Sequence, residues 1–167
     1  LETDEKLFDL IGHTQPLYNS AFSLDGKRLV TAGKDGNALV WDVQTGKRLL
    51  LIPTGHSSSI NTAVFNRDGT RLATGGFDGV VKVWDVSTCP IAGQELLNLS
   101  GYNTSFIFAL DFSPDGRYLA ASNFFGDRAT RVYALQTEDL IAIARSRLTR
   151  SFTLEECQKY LHQATCP

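Results

Sequence analysis

Methionine is missing from the 167 residues, and cysteine is rare, with three residues. No apolar run approaches the roughly 18 residues of a membrane-spanning helix, and no leader typical of a secreted protein precedes the first strand pattern. These absences predict a cytoplasmic protein that does not insert into a membrane. Since the chain begins with Leu1 and contains no Met, we also expect it to be the C-terminal piece of a longer protein.

An excess of positive charge is missing as well. Sixteen Lys and Arg residues stand against 18 Asp and Glu residues, with a formal net charge of −2. Binding to nucleic acid requires a positive face opposite the phosphates, and the basic residues form no such stripe. We therefore predict no nucleic-acid partner. The 43% of hydrophobic residues is typical of an ordinary globular domain.

What the chain does contain is a repeat. Two segments that begin at Gly12 and Gly55 align without gaps at an offset of 43 residues, and a third, divergent copy begins at Gly101. Each copy has short runs of β-branched and aromatic residues, and Asp-Gly pairs between these runs favour tight hairpins. The pattern predicts antiparallel meanders, and a period near 43 residues is typical of one propeller blade.

Both clear copies carry the same signature residues. A Gly-His pair begins each copy, an Asp precedes the third strand, and a Trp-Asp pair ends that strand, at Gly12-His13, Asp35 and Trp41-Asp42 and at Gly55-His56, Asp78 and Trp84-Asp85. In these residues the chain resembles the WD-repeat β-propeller family. The resemblance implies an all-β fold of about three four-stranded antiparallel blades, an arc of a larger propeller, with a short C-terminal helical segment.

The repeat also predicts where the segments of the chain begin and end. Outer strands are expected at residues 6–10, 48–52 and 95–99. We expect the outer strand of a preceding blade in residues 1–11, blade one at 12–54, blade two at 55–100, a divergent blade three at 101–136 and a closing segment at 137–167. Three copies are fewer than the 4–8 blades of a typical propeller, so we expect the remaining blades to come from upstream sequence or from another chain.

The resemblance further implies a buried hydrogen-bonded network in each blade. In the family, this network consists of the histidine of the Gly-His pair, the turn aspartate, the strand tryptophan and a Ser or Thr. The usual Ser or Thr position holds Gly33 and Gly76, so each network has three members unless Thr31 or Thr74 reaches in. In the third copy, Tyr replaces Trp and an aspartate keeps the turn role. The expected members are His13, Asp35, Trp41, His56, Asp78, Trp84, Asp127 and Tyr133.

A His and Asp pair also invites a catalytic interpretation. Such a pair is half of a nucleophilic relay, but no Ser or Cys recurs at a position that completes it, and a residue pair repeated in each clear copy is typical of packing. We predict no catalytic residue and no enzyme; the alternative is a catalytic propeller or a non-catalytic appendage of an enzyme encoded upstream. Cys157, His162 and Cys166 offer at most three zinc ligands, so we predict no metal and no cofactor.

Binding to other proteins or peptides is therefore the favoured function. On the family's geometry, residues just before the turn aspartate and residues early in each first strand face the top surface of the propeller. The copies differ at these positions while the frame around them is repeated. The candidate contacts are Tyr18, Lys34, Asn61, Phe77, Phe108, Phe124 and Phe125. The last two lie in a longer turn, and the alternative is that they fold onto the closing segment.

Residues 137–167 depart from the repeat. Thr153 to Glu156 form a capping box, which predicts a helix at about 154–162, whereas residues 137–147 suit either a helix, which we favour, or an outer strand. The segment resembles the closing motif of bacterial multidomain WD-repeat signalling proteins, whose other domains include signalling ATPases, kinases and caspase-like domains. The resemblance implies a sensor or scaffold module.

Overall fold

Glycine-containing turns divide the chain into short strands. The computed structural model describes residues 6–87, 93–100, 106–124 and 129–147. Within these ranges it has eleven strands and one helix: β1 (Leu17–Phe22), β2 (Arg28–Gly33), β3 (Asn37–Asp42), β4 (Arg48–Pro53), β5 (Ile60–Phe65), β6 (Arg71–Gly76), β7 (Val81–Asp85), β8 (Gln94–Leu99), β9 (Ile107–Phe112), β10 (Tyr118–Asn123), β11 (Thr130–Ala134) and α1 (Thr137–Arg147). The chain divides into two compact units, residues 1–133 and 134–167.

Three sheets follow the three copies of the repeat. Blade one has the strand order β1-β2-β3-β4, blade two has β5-β6-β7-β8, and blade three has β9-β10-β11. Strands adjacent along the chain pair antiparallel, as the predicted meanders require. Within the described residues, blade three has three strands rather than four. Residues 137–147, which offered a fourth strand, are instead the helix α1.

Positive backbone angles explain the Asp-Gly pairs at the hairpins. Gly26, Gly69 and Gly116 lie between the first and second strands of the three blades with φ of 69°, 70° and 70°, a conformation that other residues rarely adopt. The aspartate before the glycine folds back on the same turn. Asp25 accepts a hydrogen bond from the Ser23 hydroxyl at 2.6 Å, and this bond holds the pKa of Asp25 below its ordinary value.

An apolar core lies between blade one and blade two. Strands β1 and β2 pack on β5, and β5 and β6 pack in turn on β9, so that blade two is in the middle. Small and β-branched residues suit strands that are covered on both faces. The buried cluster consists of Val30, Ala32, Ala38, Val40, Leu50, Ile52, Ile60, Ala63, Leu72, Trp84 and Val86.

Residues 6–16 precede β1 without forming a strand. The outer strand expected at residues 6–10 is therefore not formed. A strand needs hydrogen-bonded neighbours for its backbone groups, and none of the described strands pairs with this segment. Its apolar side chains instead line a cleft with those of blade one, formed by Leu7, Phe8, Leu10, Phe22, Leu29 and Trp41.

Helix α1 carries acidic residues in its first turn. Glu138 and Asp139 face the positive end of the helix dipole there, which favours the helix over a strand. The second helix expected, at about 154–162, lies outside the described residues. Within the described ranges, no helix has the length and apolar character that crossing a lipid bilayer would require.

Candidate functional site

A β-bulge redirects one side chain at the same place in each blade. In blade one the pairing register shifts between Leu17 and Asn19, which leaves Tyr18 as the extra residue. Equivalent shifts make Asn61 and Phe108 the extra residues in blades two and three. A bulge bends its strand and re-aims the extra side chain, often beside a functional site. All three residues are among the predicted contact positions.

The turn after each second strand is anchored to the residue before the first strand. Each anchoring hydrogen bond joins a backbone N–H to a carbonyl oxygen, at 2.9 Å for Lys34 and Pro16, 2.9 Å for Phe77 and Ser59, and 3.1 Å for Phe124 and Phe106. The three turns therefore share one backbone frame. The side chains that they present differ, with one lysine and two phenylalanines.

Aromatic side chains from these positions meet across the blades. Tyr18 and Phe77 stack with ring centroids 5.7 Å apart and 27° between the ring planes, and Phe77 lies 4.8 Å from Phe106. We call Tyr18, Phe77 and Phe106 the aromatic row, since it joins blades one, two and three. Phe108 and Phe124 form a separate pair with centroids 5.5 Å apart.

Much of this aromatic surface is open to solvent. Tyr18 is 46% exposed, Phe106 37%, Phe108 59% and Phe124 58%, whereas Phe77, between its two neighbours, is half-buried. A contiguous exposed apolar patch on a folded domain marks an interaction site more often than a scattered residue does. The arrangement therefore has the chemistry of a contact surface.

Two of the predicted contact residues are polar, and they differ in their surroundings. Lys34 is exposed in the turn of blade one. Asn61 is half-buried, and its side-chain amide donates to the backbone carbonyls of Ile107 and Phe108 at 3.1 and 3.2 Å. Asn61 thus ties blade two to blade three. The remaining predicted contact, Phe125, lies outside the described residues.

Phe106 is not among the contact residues that the sequence predicts. Its equivalents in the other copies are Pro16 and Ser59, so no aromatic residue recurs at this position. The alignment of the three copies is the sequence signal that identifies Phe106. That alignment places Phe106 directly before the first strand of blade three, next to the turn that carries Phe124.

A chain of four hydrogen-bonded side chains lies in blade one. The Trp41 indole N–H donates to Thr31 Oγ1 at 2.8 Å, and that oxygen lies 2.8 Å from His13 Nε2. His13 Nδ1 lies 2.9 Å from Asp35 Oδ2. An ionised Asp35 carboxylate can only accept, and a neutral imidazole has one N–H, so Nε2 of a neutral His13 accepts the hydroxyl proton of Thr31. A neutral His13 then carries its proton on Nδ1 and donates it to Asp35.

Blade two repeats this chain. Trp84 Nε1 donates to Thr74 Oγ1 at 3.0 Å, and that oxygen lies 3.0 Å from His56 Nε2. His56 Nδ1 lies 3.0 Å from both carboxylate oxygens of Asp78. The structure thus brings together the predicted His, Asp and Trp of both blades. It also decides the alternative that the sequence left open, because Thr31 and Thr74 reach in as fourth members.

Glycine at the usual Ser or Thr position has a steric reason. A Cβ built on Gly76 would lie 2.5 Å from Asp78 Oδ1 and 2.7 Å from His56 Nδ1. At Gly33 a Cβ would overlap the backbone carbonyl of Pro16. A side chain at this position would displace the network or the turn, and the hydroxyl comes from two residues earlier in the strand.

Blade three has no threonine at the position of Thr31 and Thr74. Ala121 stands where the repeat has Thr74, and Tyr133, half-buried on β11, stands where the repeat has Trp84. In this part of the blade the Ser122 and Thr130 hydroxyls are 3.0 Å apart. Asp127 lies outside the described residues. The network roles of Tyr133 and Asp127 stay predictions.

The order Thr, His and Asp is also that of a nucleophilic relay. Here, however, Thr31 is 4% exposed and Thr74 is fully buried, and each hydroxyl accepts an indole N–H. A substrate cannot approach these oxygens, so the geometry suits packing within the blade. In the part of the chain that the structure describes, no group of three or more His, Cys, Asp or Glu side chains is placed to hold a metal ion.

Both network aspartates are held in the charged form. Burial raises the pKa of each carboxyl, but hydrogen bonds from its histidine and from two backbone N–H groups outweigh burial. The pKa of Asp35 and that of Asp78 therefore lie below the ordinary value. The backbone donors are Thr14 and Asn37 for Asp35, and Ser57 and Val80 for Asp78.

Comparison with known proteins decides the family. The family model described as WD domain, G-beta repeat, matches residues 4–42, 47–85 and 93–133. The chain belongs to the WD-repeat family. Proteins of this family generally act as non-catalytic scaffolds that mediate contacts between proteins.

Two solved structures are similar to this chain. The crystal structure of the RRP9 WD40 repeats has a TM-score of 0.66 and 25% identity, covering 75% of this chain and 37% of that chain. The structure of U3-55K has a TM-score of 0.67 and 25% identity, covering 75% and 38%. This chain thus spans little more than a third of either structure.

A relative found by sequence is far longer than this chain. Telomerase protein component 1 of Rattus norvegicus is 48% identical over 46 residues, which are 28% of this chain and 2% of that protein. The similarity therefore concerns about one blade.

Proposed function

We propose that this WD-repeat chain is a protein-interaction module that binds other proteins or peptides through the aromatic row. The observation that carries the proposal is the contact of Tyr18, Phe77 and Phe106 across three blades, with much of the outer rings exposed. Aromatic side chains dominate the energetic centres of protein interfaces, because they bury large areas at a low entropic cost.

The backbone around the bulge is repeated in each blade while the side chain at the bulge differs, and this contrast supports the same function. The bulge and the anchored turn recur in each blade, whereas the bulge positions hold Tyr18, Asn61 and Phe108. A purely structural position would keep one residue type where its surroundings are kept, as Thr31 and Thr74 do. The variation is what a surface adapted to one partner requires.

The wider setting is also part of the proposal. We infer that the chain belongs to a larger WD-repeat protein with a signalling or sensor role in the cytoplasm. Support comes from the resemblance of the closing segment to that of bacterial multidomain proteins and from the balanced charge, which disfavours nucleic acid. Besides the proteins or peptides that bind the aromatic row, the chain has a second class of partner. These are the further blades that we expect from upstream sequence or another chain.

Selection of binding peptides tests the proposal. A library of displayed random peptides of about 12 residues is panned on the full chain, and the enriched peptides are titrated by fluorescence anisotropy. We expect the double variant Tyr18→Ser, Phe77→Ser to weaken their binding at least tenfold, about 1.4 kcal/mol, because the row loses two of its three rings.

A matched control keeps the test specific. Leu51→Ser removes an exposed apolar side chain of β4, since Leu51 is 41% exposed, and leaves the aromatic row unchanged. Peptides that bind this control as tightly as the parent chain would support the row as the contact surface. Peptides that bind the double variant as tightly as the parent chain would contradict it.

A further inference from the structure

Arg28, the first residue of β2, ties blade one to blade two by filling a socket on blade two. Its Nη2 donates to the Gly69 carbonyl at 2.6 Å and its Nη1 to the Val86 carbonyl at 3.4 Å. The guanidinium carbon lies 5.1 Å from the centroid of the Phe65 ring. A Cβ on Gly69 would overlap the guanidinium. We call Phe65, Gly69 and Val86 the arginine socket of blade two.

Blade one has the same three residue types at the repeat offset, in Phe22, Gly26 and Val43. The backbone is the same as well. The φ of Gly26 is 69° and that of Gly69 is 70°. The Val43 N–H donates to the Lys27 carbonyl at 2.9 Å, as the equivalent Val86 N–H donates to the Thr70 carbonyl at 2.8 Å. Blade one therefore holds a second copy of the arginine socket.

The socket of blade one is open. Phe22 is 63% exposed, and no described atom lies within 4 Å of a Cβ built on Gly26. Beside the socket runs the apolar cleft that Phe22 and Val43 share with Leu7, Phe8 and Trp41. The side of blade one that faces away from blade two thus combines an apolar surface with two carbonyl acceptors and an aromatic face.

We propose that this side of blade one docks a further WD-type blade whose second strand begins with arginine, as β2 and β6 do. Two carbonyl oxygens and the electron-rich face of a ring attract a cation, and the fork of a guanidinium bonds both oxygens at once, which the single ammonium of lysine cannot do with the same geometry. The blade one to blade two contact is the observed template for this interface.

A second copy of this chain fits the socket less well. Its contribution would come from blade three, where Tyr118 stands at the position of Arg28 and Arg71. Blade three also departs from the socket itself. It keeps Phe112 and Gly116, but after its longer turn the residue at the place of Val86 is Leu135, and Gly116 likewise has no described atom within 4 Å of a built Cβ. The complete set of three residue types distinguishes blades one and two.

The test adds one matched blade to the full chain. Residues 1–54 are followed directly by residues 12–167, so that the added copy of blade one precedes the original copy at the natural 43-residue offset and its arginine reaches the original Phe22. We expect Arg28→Ala in the added copy to lower the urea midpoint. Once the original Phe22 is also Ala, the same substitution should have little further effect. Arg28→Lys in the added copy should recover part of the loss.

Two glycines provide the matched comparison. Gly26→Ala and Gly69→Ala share the strain of a positive φ, but in the parent chain only the second places a methyl group against an arginine. In the parent chain we expect Gly69→Ala to lower the urea midpoint more than Gly26→Ala does. In the extended chain, Gly26→Ala in the original copy should become as damaging as Gly69→Ala.

Four results would overturn the inference. One is that Arg28→Ala in the added copy lowers the urea midpoint equally whether the original residue 22 is Phe or Ala. Another is that Gly26→Ala lowers the urea midpoint by the same amount in the parent and extended chains. A third is failure of the extended chain to fold when the parent chain folds, because a matched blade must be accommodated. The last is a dimer of the parent chain, seen by sedimentation, that Phe22→Ala disrupts, because the occupant would then be a second copy.

Discussion

Each complete network depends on one hydroxyl that serves two neighbours. The indole of Trp84 is buried, at 4% exposure, and its N–H has given up hydrogen bonds to water. Thr74 Oγ1 accepts that N–H and also meets His56 Nε2. Since a buried polar group without a partner costs about 1–3 kcal/mol, the threonine hydroxyl stabilises the blade in addition to the tryptophan ring.

Substitution of the tryptophans tests their place in the blade cores. We expect Trp41→Ala and Trp84→Ala each to lower the free energy of unfolding by about 3–5 kcal/mol, because each removes a buried aromatic ring. Urea unfolding followed by circular dichroism measures the change. A variant as stable as the parent chain would show that the tryptophan does not support its blade.

Removal of the hydroxyl isolates the polar part of the network. Thr74→Val keeps the side-chain shape and leaves Trp84 Nε1 and His56 Nε2 without their shared partner, so we expect a loss of about 1–3 kcal/mol. The control is Thr14→Val at an exposed position, where the change should stay within about 0.5 kcal/mol. Equal stability of the two variants would argue against the four-membered network.

Acid should weaken the fold through the network aspartates. The pKa of Asp35 and that of Asp78 are lowered in the folded state, whereas an unfolded Asp has a pKa of about 3.9. Their ionised carboxyls therefore stabilise the fold above pH of about 4, and this contribution is lost as the pH falls through the folded-state pKa.

Urea unfolding between neutral and acid pH measures this dependence. We expect the free energy of unfolding to fall as the pH drops below about 4, and Asp78→Asn to make the fall shallower. Turn aspartates such as Asp25, whose pKa is also lowered, account for part of the remaining fall. Parallel profiles for the variant and the parent chain would contradict the role of Asp78.

Among the elements, the first strand of each blade has two tasks. Its bulge presents a side chain at Tyr18, Asn61 or Phe108, and the rest of the strand packs against the neighbouring blade. Gly75 of β6 meets Ile107 of β9 closely, since a Cβ on Gly75 would overlap the isoleucine side chain. The glycine therefore sets how near blades two and three approach.

Gly75→Ala should separate these blades. We expect the added methyl group to cost about 1–3 kcal/mol through overpacking, without the backbone strain that applies at glycines with a positive φ. In the double variant Gly75→Ala, Ile107→Val, the smaller side chain makes room, so the combined loss should be less than the sum of the single losses. Additive losses in urea unfolding would contradict direct contact between the two residues.

The sequence predicts elements well where the repeat defines them. Asp-Gly pairs locate the hairpins, and the signature His, Asp and Trp residues meet as the family resemblance implies. The outer strand at 6–10 fails as a prediction because none of the described strands pairs with this segment. The roles of Thr31 and Thr74 stayed open, since spacing alone does not show which hydroxyl reaches a histidine.

The candidate site was partly predictable for the same reason. Tyr18 and Phe77 occupy repeat positions that the family geometry places at a surface, so the copies themselves identify them. Their stacking across two blades, and the contact with Phe106, depend on how neighbouring blades are rotated against each other. That relation arises from packing between sheets and leaves no pattern within one copy.

In the first compact unit, residues 1–133, the backbone frame is repeated from blade to blade, whereas the side chains on the surface differ between the blades. The buried networks and the core between blades one and two hold the frame, and the aromatic row runs across all three blades. The open socket of blade one is where we propose that a further blade docks. A contact surface that spans several blades suits a scaffold, because it forms only when the blades are assembled in order.

Hydrogen exchange with a selected peptide tests the central claim most directly. The chain is labelled in deuterated buffer with and without a saturating concentration of the tightest peptide, and protection is measured by segment. We predict protection at residues 16–20, 76–80 and 106–108, where the aromatic row meets solvent. Protection confined to the hairpins on the other side of the strands, at residues 24–27 and 67–70, would contradict the assignment of the aromatic row as the binding surface.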